Sequence, residues 1–115
     1  RMPLKSNSWI TVYFYQKTKE VGVFLTFSRG PLADMIYERL LADKEKIESE
    51  LGEKLSWKSS NGKHTVGTQT YYDDLRSLVN RIPIKKWLAE HANNYVNVFR
   101  PRIERIISEE AFLGN

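Results

Sequence analysis

Hydrophobic and polar positions divide the chain into alternating blocks. Ser8 to Tyr15 is a charge-free run of β-branched and aromatic residues and predicts a strand. Polar Gln16–Glu20 follows as a connection, and Val21–Phe27 predicts a second strand, paired antiparallel with the first. Neither run carries an interior charge, so both strands are expected to be central in a sheet or covered on both faces. On that reading Trp9, Tyr13, Phe14, Tyr15, Phe24 and Phe27 belong to the core.

Arg29-Gly30-Pro31 ends the second strand, and Pro31 suits a first helical turn. Leu32, Ile36, Leu40, Ile47 and Leu51 recur at helical steps and predict one long helix to about Leu51, with Gly52 at its C-terminal cap. Asp43 and Glu50 interrupt the edge of that stripe. Leu55 and Trp57 alternate with polar neighbours as a third strand. Asn61-Gly62 signals a hairpin turn, and His64–Tyr71 returns as a fourth strand. Asp73-Asp74 is expected to cap a short helix through Leu75, Leu78 and Val79. A second long helix after Pro83 carries Ile84, Leu88, His91, Tyr95, Val98, Phe99, Ile103 and Ile106 on one stripe. Pro101 predicts a kink or a split near Phe99, and the tail beyond Ser108 is expected to fray. The pattern therefore predicts an α+β domain: an antiparallel sheet from two hairpins with two long helices, in the order β-β-α-β-β-α, the last helix kinked.

A length of 115 residues fits a single domain with one core, and 41% hydrophobic with 28% charged residues is globular composition. No cysteine is present, which excludes disulfides and thiolate metal sites and fits a reducing compartment. No run reaches the ~18–20 apolar residues of a bilayer span, and no signal peptide precedes Ser8. A cytoplasmic location without a membrane partner is the expectation. The chain opens on Arg1 and meets a core-like strand almost at once, so it reads as the C-terminal piece of a longer protein.

Leu40 through Trp57 resembles a family of domains of unknown function numbered 4268. The positions that carry the resemblance are Lys44, Glu45, Ile47, Glu48, Leu51 and Gly52 on a helix and its cap, then Leu55 and Trp57 on the next strand. Val98-Phe99-Arg100-Pro101-Arg102-Ile103 is similar to that family's closing segment. The resemblance covers about residues 8–107. It implies the C-terminal part of a bacterial or archaeal protein whose N-terminal part is often similar to a restriction-type nuclease. It implies no catalytic residues and no cofactor for the domain itself.

The residues offer little chemistry of their own. A restriction-type site needs Asp or Glu two residues before a lysine, to hold Mg²⁺ and position water. No lysine here has one. Gly-x-Ser-x-Gly and the phosphate-binding Gly-x-x-x-x-Gly-Lys are both absent. His64 and His91 are two isolated histidines, read as satisfied side chains rather than metal ligands. Asp73-Asp74 reads as a helix cap rather than a cation site. The chain is therefore not expected to be an enzyme.

The net charge of +4, with a pI near 9.4, admits nucleic acid as a partner. Arg76, Arg81, Lys85 and Lys86 cluster in sequence, Lys58 and Lys63 flank the hairpin turn, and Arg100, Arg102 and Arg105 lie near Pro101. Tyr71 and Tyr72 are candidates for an exposed stacking surface. The candidate nucleic-acid contacts are accordingly Arg76, Arg81, Lys85, Lys86, Tyr72 and Lys63; their convergence is a tertiary question. Three readings follow, of which an enzyme, requiring a pocket with at least two convergent titratable groups, is the least favoured. One of the others is a nucleic-acid-contacting accessory domain attached to the N-terminal domain of a nuclease-like parent, with DNA or RNA as partner. The other is a protein-interaction or homodimerisation domain.

Overall fold

The computed structural model of the chain describes residues 2–3, 8–73 and 77–113. Its strands are β1 (Met2–Pro3), β2 (Ser8–Tyr15), β3 (Glu20–Phe27), β4 (Ser56–Ser60) and β5 (Lys63–Tyr71). Its helices are α1 (Pro31–Ala42), α2 (Lys44–Leu51) and α3 (Leu78–Leu113). The sheet is antiparallel throughout, in the order β1-β2-β3-β5-β4. The two expected hairpins are therefore present, joined through β3 and β5. Asn61 and Gly62, with φ of 53° and 77°, form the tight turn between β4 and β5 that their residue types favour.

The predicted first helix is two helices. Asp43 leaves the helical region at φ −99°, ψ 14°, and its carbonyl accepts the Ile47 N–H that opens α2. The interrupted stripe was the trace of this break: α1 buries Ala33, Ile36, Tyr37 and Leu40, and α2 restarts with Ile47 inward. Gly52 takes the left-handed conformation at the end of α2. It donates to Ser49 O while Glu53 N–H reaches Glu48 O, a Schellman closure. The Glu48 carboxylate then accepts the Leu55 N–H at 2.7 Å and the Trp57 indole N–H at 3.3 Å, tying the end of α2 to the start of β4.

The last helix starts earlier than expected and is not split. One helix runs from Leu78 to Leu113 through both Pro83 and Pro101, without a split at Phe99, and stays helical beyond Ser108, where fraying was expected. Ser77 starts it: its hydroxyl accepts the Val79 N–H and its carbonyl accepts those of Asn80 and Arg81. Asp74 and Leu75, the expected cap and first helical residue, lie outside the described residues. Both prolines are on the solvent side. The carbonyls they leave without a helical donor, Val79 and Asn97, belong to exposed residues and can be hydrated, so the helix continues. Thirty-six residues make a rod of about 54 Å, matching the longest dimension of 55 Å.

The helices lie on one side of the sheet, α1 and α3 against its strands and α2 against α3. The core joins Ile10, Val23, Leu25, Phe27 and Val66 of the strands to Ile36, Leu40, Ile47, Tyr95, Phe99 and Ile103 of the helices. Within it the Tyr95 hydroxyl is buried without a hydrogen-bond partner among the described residues. Burial, and secondarily the nearby Glu53, push its ionisation well above the ordinary phenol range. Tyr95→Phe removes an unsatisfied polar group at nearly constant shape. The expected outcome is a gain of up to about 1 kcal/mol in urea unfolding.

Candidate functional site

The strand register separates two faces. Ile10, Val12, Phe14, Val21, Val23, Leu25, Phe27 and Val66 point toward the helices. Trp9, Thr11, Tyr13, Tyr15, Glu20, Gly22, Phe24, Thr26, Lys58, Lys63, Thr65, Gly67, Gln69 and Tyr71 point to the opposite face. No described helix covers that second face. Of the two expectations for these charge-free strands, the first holds, since β2 and β3 are interior in the strand order, and among the described residues the second face stays uncovered. Charge-free strands arose because the open face is built from aromatic and hydroxyl groups in place of charges. Of the six aromatics assigned to the core, Phe27 is buried, while Phe14 and Tyr15 are 58% and 57% exposed. Trp9, Tyr13 and Phe24 are half-buried on the open side.

Two strand glycines shape this face. Phe24 and Gly67 are cross-strand partners, as are Tyr13 and Gly22. In each pair the ring lies where a glycine Cβ would project. A side chain at either glycine would fill the space the ring occupies, which is the physical reason for glycine inside these strands. The two rings stack on each other with centroids 5.2 Å apart and planes within 3°, and Tyr15 extends the group at 4.9 Å from Tyr13. The Tyr13 hydroxyl donates to Glu20 at 2.7 Å, and the Tyr71 hydroxyl donates to the same carboxylate. Burial, then the bond to Glu20, raise the Tyr13 ionisation, so this anchor stays protonated in the physiological range.

The result is a shallow concavity of about 470 Å³. The stacked aromatics form its floor, Thr11, Thr26, Thr65 and Gln69 supply hydrogen-bonding groups, and Lys58 and Lys63 stand at its rim. Neither lysine makes an ion pair with a described acid, and Glu20, the one acid among the described lining residues, is engaged by tyrosines. Some cations elsewhere are paired: Arg39 and Arg105 with Glu109, and Arg102 with Glu50. Hydrogen bonding to Arg102 holds the Glu50 carboxyl below its ordinary range.

The six candidate contacts do not form one patch. Lys63 begins β5 and Tyr72 follows its end, about 30 Å away along the strand. Lys63 belongs to the open face, where Tyr71 rather than Tyr72 presents an exposed ring. Tyr72 is half-buried, its N–H bonded to Lys19 O. Arg81, Lys85 and Lys86 are exposed on the first turns of α3, which lies on the helical side, and Lys86 approaches Glu90 at 3.9 Å. Arg76 lies outside the described residues. Sequence reasoning missed Tyr13, Tyr15, Phe24 and Lys58 as members of one surface. The available signal was a lone glycine inside each of β3 and β5.

Both histidines are satisfied internally. His64 Nε2 is 2.6 Å from Asp34 and Nδ1 is 2.8 Å from the Ser59 hydroxyl, with Tyr37 stacked on the ring. This relay fastens the β4–β5 hairpin to the first turn of α1. His91 bonds Trp87 O through Nδ1 and faces Glu53 at 3.2 Å through Nε2. Among the described residues no three His, Asp or Glu side chains cluster as a metal site. No described helix is long and apolar enough to cross a membrane.

A family model described as a domain of unknown function, DUF4268, matches residues 5–103, and the chain belongs to that family. Comparison with curated proteins and with solved structures gives no match.

Proposed function

We propose that this DUF4268 domain is a non-catalytic accessory module that holds single-stranded nucleic acid on the open face of its sheet. The family resemblance suggests its setting, beside a nuclease-like domain in a bacterial or archaeal protein. The observation that carries the reading is the stacked Tyr13–Phe24 pair, extended by Tyr15 and rimmed by the unpaired Lys58 and Lys63. Aromatic rings on an exposed sheet accept the faces of unstacked bases, while ammonium groups at the rim meet phosphates. A duplex keeps its base faces stacked inside and gains nothing from such a floor. The polar lining offers few directional base contacts, so sequence preference should be slight.

Fluorescence anisotropy with a labelled twelve-nucleotide single strand tests this. Two phosphate contacts give a salt slope near −1.4, so affinity should fall roughly sevenfold between 50 and 200 mM salt. Replacing Lys58 and Lys63 with alanine should flatten that slope. Tyr15→Ala should cost about 1 kcal/mol or more of binding through lost stacking. Alanines at Arg81 and Lys85, on the helical side, should leave affinity unchanged. Equal affinity for duplex, or no binding at 50 mM salt, would sink the proposal.

A further inference from the structure

We infer that a polar hollow beside the aromatic floor, between Lys54 and Lys58, holds the terminal phosphate of the bound single strand. The inference rests on the nucleic-acid reading above and adds the kind of strand end that the site takes. The hollow measures about 300 Å³, and its polar lining is Lys54, Ser56, Lys58, Thr68 and Gln69. No acid is among its described lining residues. It shares Lys58 and Gln69 with the concavity that carries the rings. A strand whose last base rests on the floor therefore reaches the hollow with its end group.

The strand register makes the hollow a place for an anion. β4 pairs with β5 only as far as Ser56 and Gly67. Ser60 and Lys63 flank the two-residue turn and exchange both ladder bonds, and bonded pairs recur at every second position: Lys58 with Thr65, then Ser56 with Gly67. Gln69 is the next β5 residue of that series. Its N–H points to the β4 side, past the last β4 pair, where no described strand residue meets it. Lys54 and Lys58 are exposed, and neither makes an ion pair with a described acid. Glu48 feels the charge of Lys54, but its carboxylate is occupied by the Leu55 and Trp57 N–H groups. A phosphodiester within a strand brings about one negative charge and two free oxygens, whereas a terminal phosphate brings nearly two charges and three free oxygens. Two ammonium groups and an outward N–H match the terminal group. Phosphodiester hydrolysis is the class of reaction that leaves such an end.

Anisotropy titrations at neutral pH with twelve-nucleotide single strands of one sequence test this. One strand carries a 5′-phosphate and a 3′ label, another a 3′-phosphate and a 5′ label, and each is compared with a hydroxyl-ended strand bearing the same label. At least one phosphorylated strand should bind about fivefold tighter than its counterpart in 50 mM salt. Which end responds fixes the polarity of the strand on the sheet. Engagement of one more cation should steepen the salt slope by about 0.7, so the advantage should shrink to about twofold at 200 mM. Lys54→Ala should remove the advantage and Lys54→Arg should keep it, as should Lys85→Ala on the helical side. Equal affinity of phosphorylated and hydroxyl ends, or an advantage that survives Lys54→Ala, overturns the inference and leaves the aromatic floor standing as a binding surface. If no strand binds, both readings fall.

Discussion

Gly67→Val is expected to lower stability by about 3 kcal/mol and to dismantle the aromatic floor of the open face in the same step. A Cβ at Gly67 would sit 1.9 Å from Phe24 Cδ1 and 2.5 Å from the Val23 carbonyl oxygen. The ring is met near its root, so it cannot swing aside without leaving the sheet surface, and the carbonyl belongs to the central strand and cannot yield. Loss of Phe24 from its place also removes the stacking partner of Tyr13. Gly22→Ala makes a useful contrast. There the Cβ would meet only the far end of Tyr13, the most movable part of a side chain, so the ring can rotate outward at smaller cost while giving up its bond to Glu20. Urea midpoints should rank wild type above Gly22→Ala above Gly67→Val. Both variants should lose oligonucleotide affinity if the floor holds bases. Equal midpoints for the two glycine variants would contradict the distinction between a fixed and a movable neighbour.

Glu48→Ala is expected to cost about 2 kcal/mol at neutral pH, because it leaves the Leu55 amide and the Trp57 indole without their acceptor. Partial exposure of the site keeps the figure toward the lower end for a charged acceptor with two donors. The Leu55 N–H is the main cause of a Glu48 carboxyl held below its ordinary value of 4.5, with Trp57, Lys44 and Lys54 adding to it against a burial penalty. The folded-state value is depressed, so the contribution is fully present above about pH 4.5 and is lost as pH falls through the folded value. Urea unfolding from pH 7 to pH 3 should therefore show wild type losing stability faster than Glu48→Ala, the two curves converging in acid. Parallel curves would show that the carboxylate is not the acceptor that matters.

The same residue explains much of what the family resemblance rested on. Ile47 is fully buried, Gly52 adopts a left-handed cap, and Glu48 fastens the cap to Leu55 and Trp57. These positions form a joint between helix and strand, a folding device rather than a binding surface. A motif can thus be read correctly in sequence and still say nothing of function. The candidate interface lies on the other side of the sheet, in residues that no motif connects.

The elements themselves were largely legible. Period-two and helical patterns, the Asn61-Gly62 turn and the Gly52 cap are local signals, and local backbone preference follows from residues a few positions apart. Two helical boundaries were misjudged, and both depended on surroundings. Asp43 divides the first predicted helix, and the two halves each pack on α3. Pro101 does not break one, because the carbonyl it deprives of a donor belongs to an exposed residue.

By itself the sequence determined the four longer strands, their two antiparallel hairpins, most of the helical segments, and the absence of lysine-borne nuclease motifs. Only the tertiary structure decided which face of the sheet the helices cover. Alternation along a strand separates two faces without labelling them, and with aromatic or β-branched residues on both, the labels cannot be assigned locally. Packing of α1 and α3 against Ile10, Leu25 and Val66 settles the choice, because one sheet face then buries enough apolar surface for a core. The other is left with its rings, hydroxyls and two lysines toward solvent.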